Sequence, residues 1–378
     1  MGWGSVIMAA GADADLKPVD VRRFEGRRVL ITGAAGSVGA ALSHRLASAP
    51  GIRLGLLDHF DHGLLRLVDE LLERAPAAQT ELMLASVRDQ GALARHFEAF
   101  APDMVIHAAA LKHVHLGELH PGECILTNLV GVRNVLAAAH SAGVEDFVLI
   151  SSDKAAAPSC VMGAAKRLAE LHLHGFAAEQ RTLMQLSAVR FGNVMGSQGS
   201  VAPRFAEQIE RGGPVTLTHP KMERYFVTMD EAVDLILRVS AFASLQRAPV
   251  TYLKNMGEPI SILRLAQQMM ARGDRDVPIV VSGLRPGEKL TEQLFDEFEQ
   301  VRESGLAGVY AITPRTPGAA LGTLEIDQLE TAVQTMQGEA LRVHVFTCLD
   351  AKLMLPPPTQ ADRMLDETNK AKAARYVS

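Results

Sequence analysis

Two residues of opposite acid–base character, Asp153 and Lys154, lie side by side directly after an apolar run at 147–150. The run is typical of a buried parallel strand, and Ser151 and Ser152 connect it to the pair. In an open α/β sheet, ligands bind at the carboxyl ends of the strands, so all four residues are expected to face a ligand. A carboxyl group and an amine can move protons to and from a substrate, beside a cofactor that accepts electrons.

The helix that should follow this strand carries two further candidates. Met162 and Lys166 are four positions apart within the predicted helix 161–178, so they lie on one face of it. That helix is expected to run back along the bound cofactor. The predicted catalytic residues are Ser152, Asp153, Lys154, Met162 and Lys166, and Ser151 and Lys166 are predicted cofactor contacts.

Composition limits the class of protein. The 378 residues are 48% hydrophobic, enough for a large core in one domain or in two that share a cleft. The net charge of -5 argues against a partner that is nucleic acid or a membrane surface. Cys124, Cys160 and Cys348 lack metal-ligand spacing, which favours a reducing cytoplasm, no disulfide and no metal site. No apolar run reaches the roughly 18 residues that a bilayer requires, and the N-terminal segment lacks the features of a signal peptide.

A glycine pattern near the N-terminus predicts a dinucleotide site. The apolar strand 28–32 leads into Gly33, Gly36 and Gly39, the spacing of a tight turn that lets a backbone approach a pyrophosphate. A second strand at 53–57 ends in Asp58, where a carboxylate can accept hydrogen bonds from a ribose diol and repel a 2'-phosphate. We therefore predict NAD rather than NADP. The expected contacts in these two segments are Gly33, Ala35, Gly36, Ser37, Val38, Gly39, Asp58 and His59, although His59 is more simply a solvated loop residue.

Two further strands should complete this site. The strand 82–87 contains Ser86 and Val87, which could cap the adenine, and the strand 104–107 leads into small residues that allow close approach. The predicted cofactor contacts there are Ala108, Ala109, Ala110 and Lys112, and His113 follows in the same loop. Asn128 and Asn134 belong to a predicted amphipathic helix, 123–139. We interpret both first as residues that hold backbone loops, with Asn128 also a candidate cofactor contact.

Beyond position 190 the sequence suits a polar ligand. The segment RFGNVMGSQGSVAPRF has the glycine and serine content of a wrapping loop. In SGLRPGEKL, Arg285 could hold a diphosphate by two parallel hydrogen bonds, and Glu288 could accept one from a ribose. A helix is predicted at 229–240 and another near 325–336, with a Pro/Gly linker before the second.

These signals predict an α/β fold: a Rossmann-type, doubly wound parallel sheet with a smaller, discontinuous C-terminal substrate-binding region. We assign 1–24 to an N-terminal arm and 346–378 to a polar tail. The NAD-binding domain is 25–190, joined again by 226–260. The nucleotide-sugar-binding region is 191–225 with 261–345.

Several motifs resemble those of one family, the nucleotide-sugar 4,6-dehydratases of bacterial polysaccharide biosynthesis, which are extended short-chain dehydrogenase/reductases. The resemblance covers about 27–294 and includes TGAAGSVG, LDH, HAAALKHV, SSDKAAAPSCVMGAAKR, RFGNVMGSQGSV, THPKMERYF, NMGEPISI and GLRPGEKL. It implies a tightly held NAD(P)+ and a UDP-sugar such as UDP-N-acetylglucosamine. Hydride would leave sugar carbon 4, water would be lost across carbons 5 and 6, and hydride would return at carbon 6.

The resemblance also implies individual roles. Asp153 matches the acid for the carbon 6 hydroxyl and Lys154 the base at carbon 5, which requires a desolvated cleft that keeps the acid protonated and the lysine neutral. A homo-oligomer, dimer or hexamer, is implied too. Many relatives carry membrane-spanning helices before this domain, and we expect this chain to be a stand-alone cytoplasmic form. The predicted substrate contacts are Lys112, His113, Asn193, Ser200, Val201, Arg204, Thr216, Thr218, Arg224, Met256, Arg285 and Glu288.

Two positions depart from the family pattern. Met162 stands where a tyrosine usually takes the alcohol proton, and a thioether has no proton to exchange. We therefore predict that Ser152, or a water held by Lys166, relays that proton to Asp153. Because relatives with this methionine tend to retain configuration at carbon 5, a retaining enzyme is expected. Ser86 stands where the family usually has an acid against adenine.

Two other functions stay open. A nucleotide-sugar 4-epimerase of similar fold would not need the Asp153–Lys154 pair, because it removes no water. A non-catalytic nucleotide-sugar-binding protein would account for the missing tyrosine. Taken without its context, the pair would be a solvated ion pair worth under about 1 kcal/mol.

Overall fold

The computed structural model describes residues 18–242, 248–272, 277–316 and 319–353. Within these ranges the β-branched and aliphatic runs form the strands, and the amphipathic segments between them form helices. The strands are β1 Arg28–Thr32, β2 Arg53–Asp58, β3 Gln79–Leu84, β4 Met104–His107, β5 Asp146–Ile150, β6 Gln185–Arg190, β7 Asn193–Val194, β8 Val215–Leu217, β9 Glu223–Arg224, β10 Phe226–Val227, β11 Val250–Lys254, β12 Ile260–Ser261, β13 Ile279–Val281, β14 Glu299–Glu303 and β15 Val309–Pro314.

The helices connect these strands and cover both faces of the sheet. They are α1 Ser37–Leu46, α2 Asp61–Arg74, α3 Gln90–Phe100, α4 Val114–Leu119, α5 Pro121–Ile125, α6 Gly131–Ser141, α7 Val161–Gln180, α8 Val201–Glu210, α9 Met229–Phe242, α10 Ile262–Arg272, α11 Thr323–Thr335 and α12 Gly338–Leu353. A π-helical turn, Leu126–Val130, joins α5 to α6, so the predicted helix 123–139 is one helical path with a local widening.

The central sheet confirms the predicted fold class. In the described part of the chain its nine strands run in the order β14-β15-β11-β6-β5-β4-β1-β2-β3. The seven strands from β11 to β3 are parallel, and β15 and β14 add an antiparallel edge. Chain order reverses between β1 and β4, where Thr32 pairs with His107. In doubly wound sheets ligands bind outside the strand ends at this switch point.

Apolar helix faces bury the sheet on both sides. On one face, α1, α2 and α9 pack over β1, β2 and β5. On the other face, α3, α6 and α7 pack on the sheet, with α11 and α12 outside α7. A separate apolar cluster holds α8, α10, β8 and β13 together as a small lobe. The lobe adjoins the carboxyl ends of the strands through the loops after β6.

Several predicted boundaries are wrong. The third strand is Gln79–Leu84 rather than 82–87, because it stays paired with β2, whose last residue, Asp58, lies opposite Leu84. Phe24, within the predicted arm, is buried in the core beside the sheet. Residues 1–17 of that arm lie outside the described residues.

The C-terminal part also differs from the prediction. The strands β14 and β15 join the main sheet, and α11 and α12 pack on its helical layer, so residues 299–345 do not belong to the small lobe. Residues 346–353, predicted as polar tail, complete α12, whose Leu341, Val345, Leu349 and Leu353 are buried at a spacing of one helical turn. The rest of the tail, 354–378, lies outside the described residues. No helix among the described residues is long and apolar enough to cross a membrane.

Candidate active site

The end of β5 fixes the acid–amine pair through the backbone. Ser151 donates its N–H to the Val189 carbonyl (2.8 Å), and Asp153 donates its own to the Phe191 carbonyl (3.0 Å). The chain then forms a 3-10 turn, Asp153–Ala155, and Ser152 Oγ accepts the Lys154 N–H at its start. The predicted segment therefore continues the pairing with β6 before it turns into the cleft.

Asp153 and Lys154 form a hydrogen-bonded ion pair. Lys154 Nζ donates to Asp153 Oδ1 (2.9 Å) and to Asn193 Oδ1 (3.2 Å), and Ser152 Oγ donates to the same Asp153 oxygen (3.0 Å). The Asp153 side chain is 0% exposed, and Oδ2 has no hydrogen-bond partner among the described residues. A buried carboxylate oxygen without a partner is costly and is typical of a reactive site.

The Lys154 amine contradicts one expectation. Burial lowers the pKa of Lys154, but the carboxylates of Asp153 and Glu292 raise it by more, so the net shift is upward. We predicted a desolvated cleft that would keep this lysine neutral. The two acids outweigh desolvation because each lies within 4 Å of the amine, at 2.9 and 3.8 Å.

The second lysine, Lys166, contacts the last residue of β5. Lys166 Nζ donates to the Ile150 carbonyl (2.7 Å), and burial lowers the pKa of Lys166 to about 8. Met162, one turn earlier on α7, is also buried. Both residues thus occupy the predicted face of the helix, next to the end of β5.

The glycine loop forms a cradle that larger residues would fill. Gly33 has φ +67°, and a Cβ there would lie 2.6 Å from the Ala109 nitrogen. A Cβ at Gly39 would collide with the Gly33 carbonyl oxygen, whereas Gly36 has more room and precedes the first residue of α1. Asp58 lies beside this loop, with Oδ2 accepting the Ala35 N–H at 3.0 Å. The arrangement fits a nucleotide whose phosphates meet the start of α1.

A glycine-rich loop after β7 covers this cradle. Gln198 donates its N–H to Ser37 Oγ (3.1 Å) and accepts from Lys112 Nζ (2.5 Å). A Cβ at Gly199 would lie 2.8 Å from the His113 ring. The wrapping loop is therefore bonded to two predicted cofactor residues, Ser37 and Lys112.

Some predicted cofactor residues serve the scaffold instead. Asn128 is fully buried and holds the backbone N–H and carbonyl of Leu111, both at 2.8 Å, so the predicted direct cofactor contact is wrong. Its other interpretation, as a residue that holds a loop, is confirmed, as it is for Asn134, which donates to the Val87 carbonyl. Ser151 Oγ is buried and donates to Glu170 (2.6 Å), which leaves no exposed hydroxyl.

The remaining predicted contacts lie around the cradle. Val38 follows Ser37 in the first turn of α1, and Ala108 and Ala110 flank Ala109 in the loop after β4. Ser86 Oγ accepts the Arg88 N–H (3.2 Å). His59 is a mostly exposed neighbour of Asp58, in keeping with a solvated loop residue. Val87 is buried.

A cleft of about 360 Å³ opens in front of the acid–amine pair. It brings together six predicted residues from four segments, because strand β9 and the loops after β4, β5 and β13 meet there. Those residues are Lys112, His113, Lys154, Arg224, Arg285 and Glu288. The wall also contains Val114, His115, Leu116 and Glu292, which the sequence analysis missed.

The other predicted substrate residues are not among those that line this cleft. Arg204 donates to Thr216 Oγ1 (3.0 Å) in the small lobe, and Thr218 Oγ1 donates to Met222 Sδ (3.1 Å). Met256 is buried. Ser200 and Val201 begin α8, and Asn193 contacts the Lys154 amine. Their direct contact with a substrate stays a prediction.

One missed residue, Glu118, stabilises the start of α7. Glu118 Oε1 accepts the N–H of Val161, the first residue of α7, at 2.6 Å, and Arg342 of α12 donates to its other oxygen at 3.0 Å. A carboxylate at a helix N-terminus stabilises the helix, so α12 contributes to the position of Met162 and Lys166. No local pattern indicates this role, since the three segments are far apart in the chain.

The fold is that of a Rossmann-type α/β protein, with a doubly wound parallel sheet covered by helices on both faces. Residues 29–314 match the family described as "Polysaccharide biosynthesis protein", and the chain belongs to this family.

Three curated relatives illustrate the match. The chain is 41% identical over 283 residues to "Probable polysaccharide biosynthesis protein EpsC" of Bacillus subtilis (73% of this chain, 46% of the relative). It is 39% identical over 283 residues to "Capsular polysaccharide biosynthesis protein CapD" of Staphylococcus aureus (74% and 46%). It is 37% identical over 215 residues to the "UDP-glucose 4-epimerase" of Rickettsia akari (56% and 61%). The match thus spans about half the length of the first two relatives.

Two solved structures share the fold. Pen from Bacillus thuringiensis superposes with a TM-score of 0.69 at 28% identity, covering 83% of this chain and 99% of Pen. DesIV from Streptomyces venezuelae, a dTDP-glucose 4,6-dehydratase solved with NAD bound, gives 0.64 at 21% identity, covering 81% and 96%. The second likeness concerns the fold alone.

Proposed function

We propose that this chain catalyses the NAD-dependent 4,6-dehydration of a UDP-sugar for cell-surface polysaccharide or amino-sugar biosynthesis. UDP-N-acetylglucosamine is the first candidate, giving UDP-2-acetamido-2,6-dideoxy-4-keto-hexose with retention at carbon 5. The observation that carries the proposal is the Asp153–Lys154 pair at the cleft that Arg224 and Arg285 also line. Family membership supports the polysaccharide pathway, and the fold is one that a dTDP-glucose 4,6-dehydratase, DesIV, also has.

The glycine cradle and Asp58 fit NAD. The backbone of Gly33 and Gly36 would face the pyrophosphate, and the Asp58 carboxylate, beside Ala35, would accept from the ribose hydroxyls and repel a 2'-phosphate. When bound, NAD+ supplies an electron sink at sugar carbon 4. A ketone at carbon 4 makes the hydrogen at carbon 5 acidic enough for an amine to remove.

Two proton paths follow from the hydrogen bonds of the pair. Ser152, whose Oγ donates to Asp153 at 3.0 Å, would pass the carbon 4 hydroxyl proton to that carboxylate. Asp153 then gives this proton to the departing hydroxyl at carbon 6. Lys154, which releases one proton to solvent before the reaction begins, takes the carbon 5 proton as the C–H bond breaks and later returns it to carbon 5. The protons balance, and water leaves with the hydroxyl of carbon 6.

Ser152 is the better of the two predicted relays. The Ser152 hydroxyl already donates a hydrogen bond to Asp153. Lys166 is only 5% exposed, and its Nζ already donates to the Ile150 carbonyl at 2.7 Å. The Met162 thioether has no exchangeable proton, so it cannot take this role. Lys166 would hold the strand end on which Ser151 and Ser152 stand.

The Rickettsia relative keeps a second function open, 4-epimerisation of the same class of nucleotide sugar. An epimerase changes configuration at carbon 4 alone and uses no acid at carbon 6. The buried Asp153 favours the dehydratase, because an epimerase would keep this desolvated carboxylate without any use for it.

Incubation of the purified protein with UDP-N-acetylglucosamine separates these functions, and the mass of the product is the measurement. We expect a product lighter than the substrate by one water. An isomer of unchanged mass would indicate the epimerase, and tight binding without conversion would indicate a nucleotide-sugar-binding protein.

The nucleotide that heat releases from the purified protein should be NAD, identified by chromatography against both dinucleotides. A Gly33→Ala variant should retain less of it, because the new Cβ meets the Ala109 backbone. Gly143→Ala is the matched control: Gly143 also has positive φ, +72°, but a Cβ there has nothing within 4 Å. Recovery of NADP alone would contradict the role given to Asp58.

A further inference from the structure

A buried carboxylate outside the predicted set, Glu292, forms part of the cleft wall beside Lys154. It is 6% exposed, and its Oε1 lies 3.8 Å from Lys154 Nζ and 3.9 Å from Arg224 Nη2. Arg224 Nη1 donates to the carbonyl oxygens of Glu223 and Leu290, at 2.7 and 3.0 Å. Because Leu290 precedes Glu292 by two residues, Arg224 fixes the segment that presents this carboxylate.

Proton balance shows when Glu292 matters. Among the described residues, the carboxylates within 4.0 Å of Lys154 Nζ belong to Asp153 and Glu292. In the proposed reaction Asp153 is neutral once it holds the carbon 4 hydroxyl proton. If Lys154 then takes the carbon 5 proton, the new ammonium keeps one charged carboxylate within that distance, which is Glu292. An opposite charge so close favours the protonated amine, most strongly in a desolvated cleft.

We propose that Glu292 is the counter-ion that stabilises the Lys154 ammonium during the step in which Asp153 still carries its proton. The inference rests on the proposed function and deepens it. Glu292 exchanges no proton: the carbon 5 hydrogen moves to Lys154 Nζ, and its electron pair stays on the sugar next to the ketone. Glu292 acts through Lys154 and is therefore a positioning residue.

Other charged and titratable groups surround this pair. Arg224 lowers the pKa of Lys154, against the two carboxylates that raise it. Burial raises the pKa of the Tyr225 phenol, and the carboxylates of Glu258 and Asp153 raise it further. Burial also raises the pKa of the Cys160 thiol, which Lys154 lowers and Glu292 raises by smaller amounts. The cleft adds Lys112, His113, His115, Arg285 and Glu288. A test must leave all of these groups in place and change Glu292 alone.

Glu292→Gln removes the charge and preserves the size of the side chain. Because an anion favours protonated lysine, its loss should lower the pKa of Lys154, and the pH profile of water loss should move to lower pH. The maximal rate of water loss should fall roughly tenfold, because the ammonium that forms on Lys154 loses a carboxylate 3.8 Å away. The decisive measurement is a pH titration of isotope-labelled lysine by NMR, with the Lys154 signal assigned by its absence from Lys154→Arg.

Glu297→Gln is the matched control, because it makes the same charge change in the same segment on an exposed side chain. It should leave the Lys154 titration unchanged. Glu292→Asp keeps the charge but places it farther from Lys154, so the pKa of Lys154 in this variant should lie between those in the wild type and in Glu292→Gln. This variant provides the test if Glu292→Gln does not fold. An unchanged titration in folded Glu292→Gln, with water-loss product still formed by the wild type, would overturn this inference alone. A wild type that forms no such product would overturn the proposed function and this inference with it.

Discussion

Lys154→Ala is expected to lower the rate of water loss by about 10²–10⁴-fold, the usual contribution of a positioned acid–base group. The variant lacks the amine that we propose as the base at carbon 5, and no other amine bonds to Asp153 in the described structure. Arg224 and Arg285 stay in the cleft, so nucleotide-sugar binding should persist. The measurements are the single-turnover rate of product formation and the equilibrium affinity for UDP.

Lys221→Ala provides the control for this variant, because Lys221 is an exposed lysine on the turn before β9. It should react at the wild-type rate. Normal turnover by Lys154→Ala would remove Lys154 from the role of base. A loss of UDP affinity as large as the loss of rate would instead indicate that Lys154 binds the nucleotide sugar.

The strands next to the cofactor cradle could be predicted closely because each is a short apolar run with polar or glycine residues after it. The runs at 28–32 and 104–107 match β1 and β4 at both ends. The predicted bounds of the third strand are shifted toward the C-terminus because Leu82 and Leu84, which are exposed at the edge of the sheet, have the apolar character of buried strand residues. The helix α12 was missed because apolar residues such as Val343 and Phe346 also lie between its buried positions, so that no single apolar face is visible in the sequence.

The part of the site that lies within single segments could be predicted, and the part that depends on distant segments could not. Asp153 and Lys154 are adjacent in the chain, and Asp58 follows a strand, so their chemistry is visible locally. Glu292 and Glu118 act through residues on other elements, at the Lys154 amine and the Val161 N–H. Burial lowers the pKa of Lys154, but the adjacent Asp153 carboxylate raises it, and Glu292, from a distant segment, adds to that rise, so the net direction is opposite to the one that the implied mechanism requires.

A buried network of charges contacts the segment after β5 at Ser151 and at Ala157. Arg190, at the end of β6, is 0% exposed and donates to Glu170 of α7 and to Glu299 of β14. Arg167 pairs with the same two carboxylates. The network reaches the site at both ends: Glu170 accepts from Ser151 Oγ (2.6 Å), and Asp296, hydrogen-bonded to Glu299, accepts the Ala157 N–H (3.2 Å).

Arg190→Met is expected to lower the free energy of unfolding by about 3–5 kcal/mol, the usual cost of removing one partner from a buried ion pair. The substitution leaves Glu170 and Glu299 buried with Arg167 as their shared cation. Urea unfolding followed by circular dichroism measures the change. Arg211→Met is the control, since Arg211 pairs with Glu207 on the surface, where the two side chains are 75% and 56% exposed, and should cost under about 1 kcal/mol.

The same network predicts how that cost depends on pH. Burial raises the pKa of Glu299, but Arg167 and Arg190 lower it by more, to about 2, from the usual 4.5. A carboxylate with a depressed folded-state pKa stabilises the protein above its unfolded-state value and loses this contribution as the pH falls toward the folded-state value. The difference in unfolding free energy between wild type and Arg190→Met should therefore be full at pH 7 and shrink between about pH 4.5 and 2. A difference that stays constant across this window would show that Arg190 stabilises the contact of β6 with α7 and β14 through the packing of its side chain and not through its charge.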